Sequence, residues 1–202
     1  MPLQTLILFI GAELVFSITP GPAVMIISAY GFRDGLRAAF AANAGIQNGN
    51  AIYIIISALG LGTLIATSAL AFDIIKVLGA AYLIFLGLRT LWQAGKMKER
   101  RPTLMGKPYV QAMLTQLGNP KAVLFFGAFL PQFLDRHLPL VPQYAEMFAI
   151  ITIGETIILG FYGWLAAQGG RLASGRFTIW RERFSGAVLI AIGTFFAAAH
   201  RT

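Results

Sequence analysis

The chain contains no cysteine, which excludes disulfides and any thiolate metal site. Its two histidines, His137 and His200, lie at the ends of apolar stretches, so the middle of those stretches has no imidazole. Charge is scarce: 12% of the 202 residues are Asp, Glu, Lys or Arg, about half the share of a soluble domain. Apart from Glu146 at the edge of one of them, the apolar stretches hold only Glu13, Asp73 and Glu155 as carboxylates. That is too few for the oxygen cage of a hard divalent cation, and no clustered acid pair points to an intramembrane enzyme. There is no Gly-rich Walker loop for an ATP-driven pump. No Lys or Arg occurs between Met1 and Phe32, so no basic region precedes the first apolar run and a typical cleaved signal peptide is not expected.

Apolar residues are what the chain has in abundance. They make up 57% of it, with a mean hydropathy of +0.71, and their runs are long enough for membrane helices rather than barrel strands. Six segments can be drawn, at about 3–32, 38–65, 73–92, 109–133, 144–168 and 184–199. The sixth is short against the ~20 residues a span needs. The net charge of +8 does not imply a nucleic-acid partner, because the basic residues cluster in short loops. Arg33 and Arg37 follow segment one. Lys96, Lys98, Arg100, Arg101 and Lys107 follow segment three. Arg171, Arg176, Arg181 and Arg183 follow segment five. These eleven of the sixteen Lys and Arg residues put the three loops in the cytoplasm and both termini outside.

The first segment carries Thr19-Pro20-Gly21-Pro22 and the fourth Asn119-Pro120-Lys121. Proline removes a backbone donor and clashes with the preceding turn. In hydrocarbon such a break survives only where it is buried in protein or lines a wet cavity. The two breaks also match in sequence: 23–30 aligns over 122–129 at an offset of 99, and 79–87 over 185–193 at 106. The expected architecture is therefore all-α, with six transmembrane helices in two inverted three-helix repeats, at about 3–93 and 109–199. They form one transporter domain over 1–202, joined by the basic loop at about 94–108. Interrupted helices at corresponding positions of inverted halves point to a transporter's binding site.

Polar side chains within the spans supply the remaining candidates. Asn43, Gln47 and Asn50 share one face of segment two by their spacing; they either line a cavity or hold helices together. Asn48, Gln116, Thr152 and Thr156 also lie within spans. Glu155 is a candidate for a proton or a substrate ammonium group, against a structural ion pair. Lys121 follows a break and either attracts a substrate carboxylate or snorkels to the interface. Glu13 stands nearer an end and is expected to be structural. Gly45 and Gly49 form a GxxxG pair suited to close helix packing.

Thr19-Pro20-Gly21-Pro22, Gly45 with Gly49-Asn50, Leu78-Gly79-Ala80-Ala81-Tyr82-Leu83 with Leu86-Gly87, and Asn119-Pro120-Lys121-Ala122 followed by Phe125-Phe126 and Phe129-Leu130-Pro131-Gln132-Phe133 together resemble the LysE/RhtB amino-acid exporters. Ala23 stands where that signature often has Asn. The resemblance implies a bacterial inner-membrane exporter of amino acids or derivatives such as homoserine, threonine or homoserine lactone, coupled to the proton gradient. It needs no cofactor or metal, and its partners are the substrate and the bilayer, with a homodimer left open. On this reading Thr19, Pro20, Gly21, Pro22, Gln47, Asn50, Asn119, Pro120 and Lys121 contact substrate, and Glu155 carries the proton. The half-helix N-termini at Pro22 and Pro120 point N–H groups at the carboxylate of an amino acid. The alternatives are a divalent-cation exporter and a non-transporting membrane scaffold.

Overall fold

The computed structural model describes residues 1–19, 21–67 and 102–168, with isolated helical positions within 74–92 and 183–198. Segments three and six of the sequence reading, the basic loop at 94–101 and Pro20 therefore fall largely or wholly outside the described residues.

Segment one is two helices, α1 (Leu3–Ile18) and α2 (Pro22–Asp34), bent by 53° across the break. The chain turns at Gly35, whose φ of 81° is costly for any residue with a Cβ. It then runs on as α3 (Leu36–Thr67), 32 residues long. Segment four is likewise broken. Helix α4 (Pro108–Leu117) ends at Gly118, and α5 (Pro120–Leu124) begins one residue after Asn119. Both α2 and α5 start on proline, whose missing N–H is no loss at a first helical position.

A second irregularity, not expected from the sequence, follows α5. The ladder widens to a π turn over Phe125–Phe129 and tightens to a 3-10 turn over Leu130–Phe133. Pro131 has no N–H for the Gly127 carbonyl, so a regular α-helix cannot pass through it. The side chain of Gln132 donates to the Ala128 carbonyl at 3.0 Å. Helix α6 (Leu140–Ala167) closes the described part.

Helix α6 is 28 residues long and apolar enough to cross a membrane, and α1 with α2 passes the same test as one bent span. Its outer face exposes Ile153, Ile157, Phe161 and Trp164, and α3 exposes Ile52, Ile55, Ile56 and Leu59. Faces of this kind belong against lipid; in water they would be aggregation liabilities. Helices α3 and α4 approach closely at the glycine pair: a Cβ on Gly45 would lie 2.1 Å from the Tyr109 carbonyl oxygen, and one on Gly49 would lie 2.9 Å from Gln116 Cβ. The GxxxG pair thus packs helices as its spacing predicts.

The buried apolar residues form two clusters. One gathers Phe9, Phe16, Phe125, Phe126, Phe129 and Phe133 with their neighbours. The other gathers Val24, Ile26, Ile27, Tyr30, Ile46 and Leu159. Each of the described spans passes from one cluster to the other, and a polar residue stands at the crossing. On α3 Asn50 lies between Ile46 and Ile54, and on α6 Glu155 lies between Ile151 and Leu159. On α4 and α5 Gln116 and Asn119 lie between Ala112 and Ala122, and at the first break Thr19 lies between Phe16 and Val24. The described helices thus hold a polar layer between two apolar ones.

Candidate substrate site

The polar layer is a chain of side-chain amides that ends on a carboxylate. Asn119 donates to Gln116 at 3.1 Å, and Gln116 donates to Asn50 at 2.6 Å. Asn50 donates to the Glu155 carboxylate at 2.5 Å and to the Gln47 carbonyl oxygen at 3.3 Å. Gln47 in turn donates to Asn43 at 3.3 Å, and Asn43 donates to the Thr156 backbone carbonyl at 3.1 Å. Asn43, Asn50, Gln116 and Asn119 are all buried. Each amide is oriented by the next, so the network presents a fixed acceptor at Glu155 rather than a loose carboxylate. Asn48, by contrast, is exposed and bonds only its own helix at Ala44.

The two breaks account for their loosened backbone groups in detail. Without proline at positions 20 and 22, the N–H groups there would go to the Phe16 and Ile18 carbonyls. Instead the Lys121 ammonium donates to the Phe16 carbonyl at 2.5 Å and to the Thr19 carbonyl at 3.0 Å. The Tyr162 hydroxyl donates to the Ile18 carbonyl at 3.3 Å. At the second break the Tyr53 hydroxyl donates to the Leu117 carbonyl at 2.5 Å, and the Asn119 side chain accepts the Lys121 N–H at 3.0 Å as an N-cap. The Asn119 cap is local, but Lys121, Tyr162 and Tyr53 reach the freed carbonyls from other spans, so those carbonyls are satisfied only in the assembled bundle.

Between the breaks lies a cavity of about 20 Å³ lined by Thr19, Gly21, Gln116, Asn119, Lys121 and Glu155, among others. That is the volume of roughly one water probe, so in this conformation the polar groups meet in a narrow space walled on its other sides by Phe16, Val24, Phe125, Phe126 and Leu159. The expected site residues Thr19, Gly21, Asn119, Lys121 and Glu155 meet here; Asn50 and Gln47 stand just behind, through Glu155 and through each other. Pro22 and Pro120 start the half-helices that frame it. The structure gives Lys121 a direction that sequence could not. Its ammonium is turned back onto the carbonyls of the first break, over the Phe16 ring at 4.1 Å from the centroid, and neither open alternative, a free group for a carboxylate or a snorkelling one, describes that placement.

Two participants were under-read from sequence. Gln116 is the link between the second break and Asn50. Glu13 is fully buried, nearly two turns ahead of the first break; its Oε1 accepts the Ser17 hydroxyl at 2.5 Å, and its Oε2 has no hydrogen-bond partner among the described residues. Gly154 on α6 clears the space for it, since a Cβ there would stand 2.6 Å from Oε2. The signal that could have found Glu13 was its spacing of four from Ser17, directly before the Pro-Gly-Pro turn.

The chain matches the family of LysE type translocators over residues 14–200. It is 32% identical over 157 residues to a homoserine/homoserine lactone efflux protein of Salmonella typhimurium, an alignment covering 76% of each chain. It is 32% identical over 210 residues to an uncharacterized membrane protein of Vibrio cholerae, covering 98% of this chain and 99% of the other. An uncharacterized membrane protein of Pseudomonas aeruginosa is 30% identical over 88% of this chain and 84% of its own. No solved structure matches it. The family match takes in both helix breaks and the whole amide chain as well as the carboxylate it ends on, and this membrane protein belongs to the LysE type translocators.

Proposed function

We propose that this translocator is a secondary exporter of amino acids or close derivatives, of the size and polarity of homoserine or its lactone, driven by the proton gradient across a bacterial inner membrane. The observation that carries this reading is the amide chain from Asn119 to Glu155, beside a small cavity of mixed polar and apolar lining between two broken helices. A cavity walled by Thr19, Gly21, Asn119 and Glu155 offers acceptors for an ammonium group, with the half-helix starting at Pro22 facing the same space for a carboxylate. Phe16, Phe125 and Phe126 bound the site on one side, and the space must widen beyond its present volume of about one water to admit a substrate of the size of homoserine. Glu155 is the group proposed to exchange a proton, because it is the acceptor on which the network converges. The matching breaks support an arrangement of two inverted three-span repeats, with both termini outside and the basic loops in the cytoplasm. A homodimer is compatible with this arrangement, and the chain acts as a carrier rather than an enzyme.

The direct test is uptake of labelled amino acids and their lactones into inverted vesicles with an imposed proton gradient. Accumulation of a small neutral amino acid or lactone, abolished by a protonophore, is expected. No accumulation of any member of the panel would sink the exporter reading.

A further inference from the structure

We infer that the Lys121 ammonium is a built-in cation, filling a monovalent-cation cage at the broken end of α1 that a free cation would otherwise occupy. The inference rests on reading the breaks as the transport site and concerns how that site is kept charged and closed. The cage follows from the sequence. A proline at position 20 leaves the Phe16 carbonyl without its helical donor, and Thr19 is the last residue before the turn, with its own carbonyl free of the helix. These carbonyls form the negative end of the α1 dipole. The face of the Phe16 ring completes the enclosure, 4.1 Å from Nζ. Two backbone carbonyls at a half-helix C-terminus and an aromatic face are ligands for Na⁺, K⁺ or an alkylammonium alike, and unwound carbonyls of this kind hold coupling cations in transporters.

Lys121 reaches this cage from the opposite break, 102 residues away in the chain from Thr19. Its backbone N–H is fixed by the Asn119 side chain at 3.0 Å. Its stem lies along Gly21, where a Cβ would stand 3.5 Å from Lys121 Cδ. No carboxylate is within ion-pair distance of Nζ among the described residues, whose ion pairs are Met1 with Glu146 and Arg33 with Asp34. The cation is therefore in direct contact with carbonyl dipoles and a ring, while Glu155 and Glu13 act on it from beyond ion-pair distance. A structural salt bridge would have chosen Glu13 or Glu155. Both carboxylates are left without a cation in contact, and transport is predicted to need neither Na⁺ nor K⁺ because the cation is already on the chain. Withdrawal of Lys121 from the cage would also release the side chain that, among the described residues, ties the first break to the second.

The experiment uses purified full-length Lys121→Ala and Lys121→Met, with thermal unfolding as the first readout. Lys121→Ala should melt several degrees below the parent and recover with propylammonium, which replaces both stem and charge, but not with 1-propanol, which replaces the stem alone. Lys121→Met keeps the stem, and sodium or methylammonium should raise its melting temperature by several degrees, while tetramethylammonium should not. The parent should shift by less than about one degree with any of them, since its cage is full. Equal rescue by propanol and propylammonium would reduce Lys121 to packing and overturn the proposal. So would a cooperatively folded Lys121→Met that no cation stabilises. If neither variant folds alone, both are purified in propylammonium or propanol; folded protein from the cation only supports the cage, and failure in both overturns it. In vesicles, parent export should be equal in sodium, potassium and N-methylglucamine media, and a sodium requirement would overturn the proposal. A parent that exports nothing defeats the exporter reading, while the melting data still decide the cage.

Discussion

The Asn50 amide donates to the Glu155 carboxylate at 2.5 Å, across α3 and α6 and between residues 105 apart in sequence. Truncating Asn50 to Ala removes that donor and also the acceptor of Gln116. A buried group left unpaired costs about 1–3 kcal/mol, so Asn50→Ala should lower thermal stability and export together. Glu155→Gln keeps the shape and should fold like the parent. If Glu155 carries the proton, this variant still binds substrate and exchanges it across the membrane but no longer accumulates it against a proton gradient. Parent-level proton-driven accumulation by Glu155→Gln would remove the residue from coupling.

Gly154 and Glu13 form a matched pair. A Cβ at Gly154 would stand 2.6 Å from Glu13 Oε2, so Gly154→Ala should cost about 1–3 kcal/mol through overpacking and reduce export. Glu13→Ala removes the obstacle, and the double variant should be more stable than the sum of the single losses predicts. Strict additivity in melting measurements would show that the two residues do not meet.

The prolines of the first break can be replaced with a definite expectation. Pro20→Ala with Pro22→Ala restores the donors for the Phe16 and Ile18 carbonyls, and an interior proline costs ~3 kcal/mol relative to Ala. The helix should run through, and the protein should still insert and fold, with the gain from removing the prolines set against the displaced Lys121 ammonium. Lys121 then loses its place at the Phe16 carbonyl, and substrate binding should fall by an order of magnitude or more. A well-folded double variant that exports at the parent rate would show that the break is there for packing alone.

Topology has its own measurement. With no native cysteine, single cysteines at Gly95 and Ser68 report only their own loops. They should be labelled by an impermeant maleimide from opposite sides, Gly95 from the cytoplasmic one. Labelling of both from the same side would refute the six-span arrangement.

Much of the site was legible because proline and charge have few roles in hydrocarbon. The two breaks, Asn50 with Gln47, Asn119, Lys121 and Glu155 could be chosen as residues that a span tolerates only with partners, and the structure brings them to one layer. Direction was not legible. Lys121 has a long flexible stem, and only the placement of α1 decides whether its head meets a substrate, lipid headgroups or a carbonyl. Glu13 was discounted by its distance along the helix, yet the break shortens α1 to Leu3–Ile18 and brings Glu13 to the polar layer. The π turn at Phe125–Phe129 was missed because Pro131 was read as part of a motif rather than as a missing donor for Gly127.

The polar layer sets a timetable for the chain's own synthesis. Gln116 and Glu155, the partners of Asn50 on other spans, lie 66 and 105 residues downstream. At roughly 5–20 residues per second, the ribosome needs about 5–20 s to supply the second. During that interval three of the four α3 amides, those that belong to the network, have only one another: Asn50 on Gln47, and Gln47 on Asn43. Those contacts within one helix act as a holding pattern, keeping a span with amides at its middle acceptable to the bilayer until its carboxylate has been made.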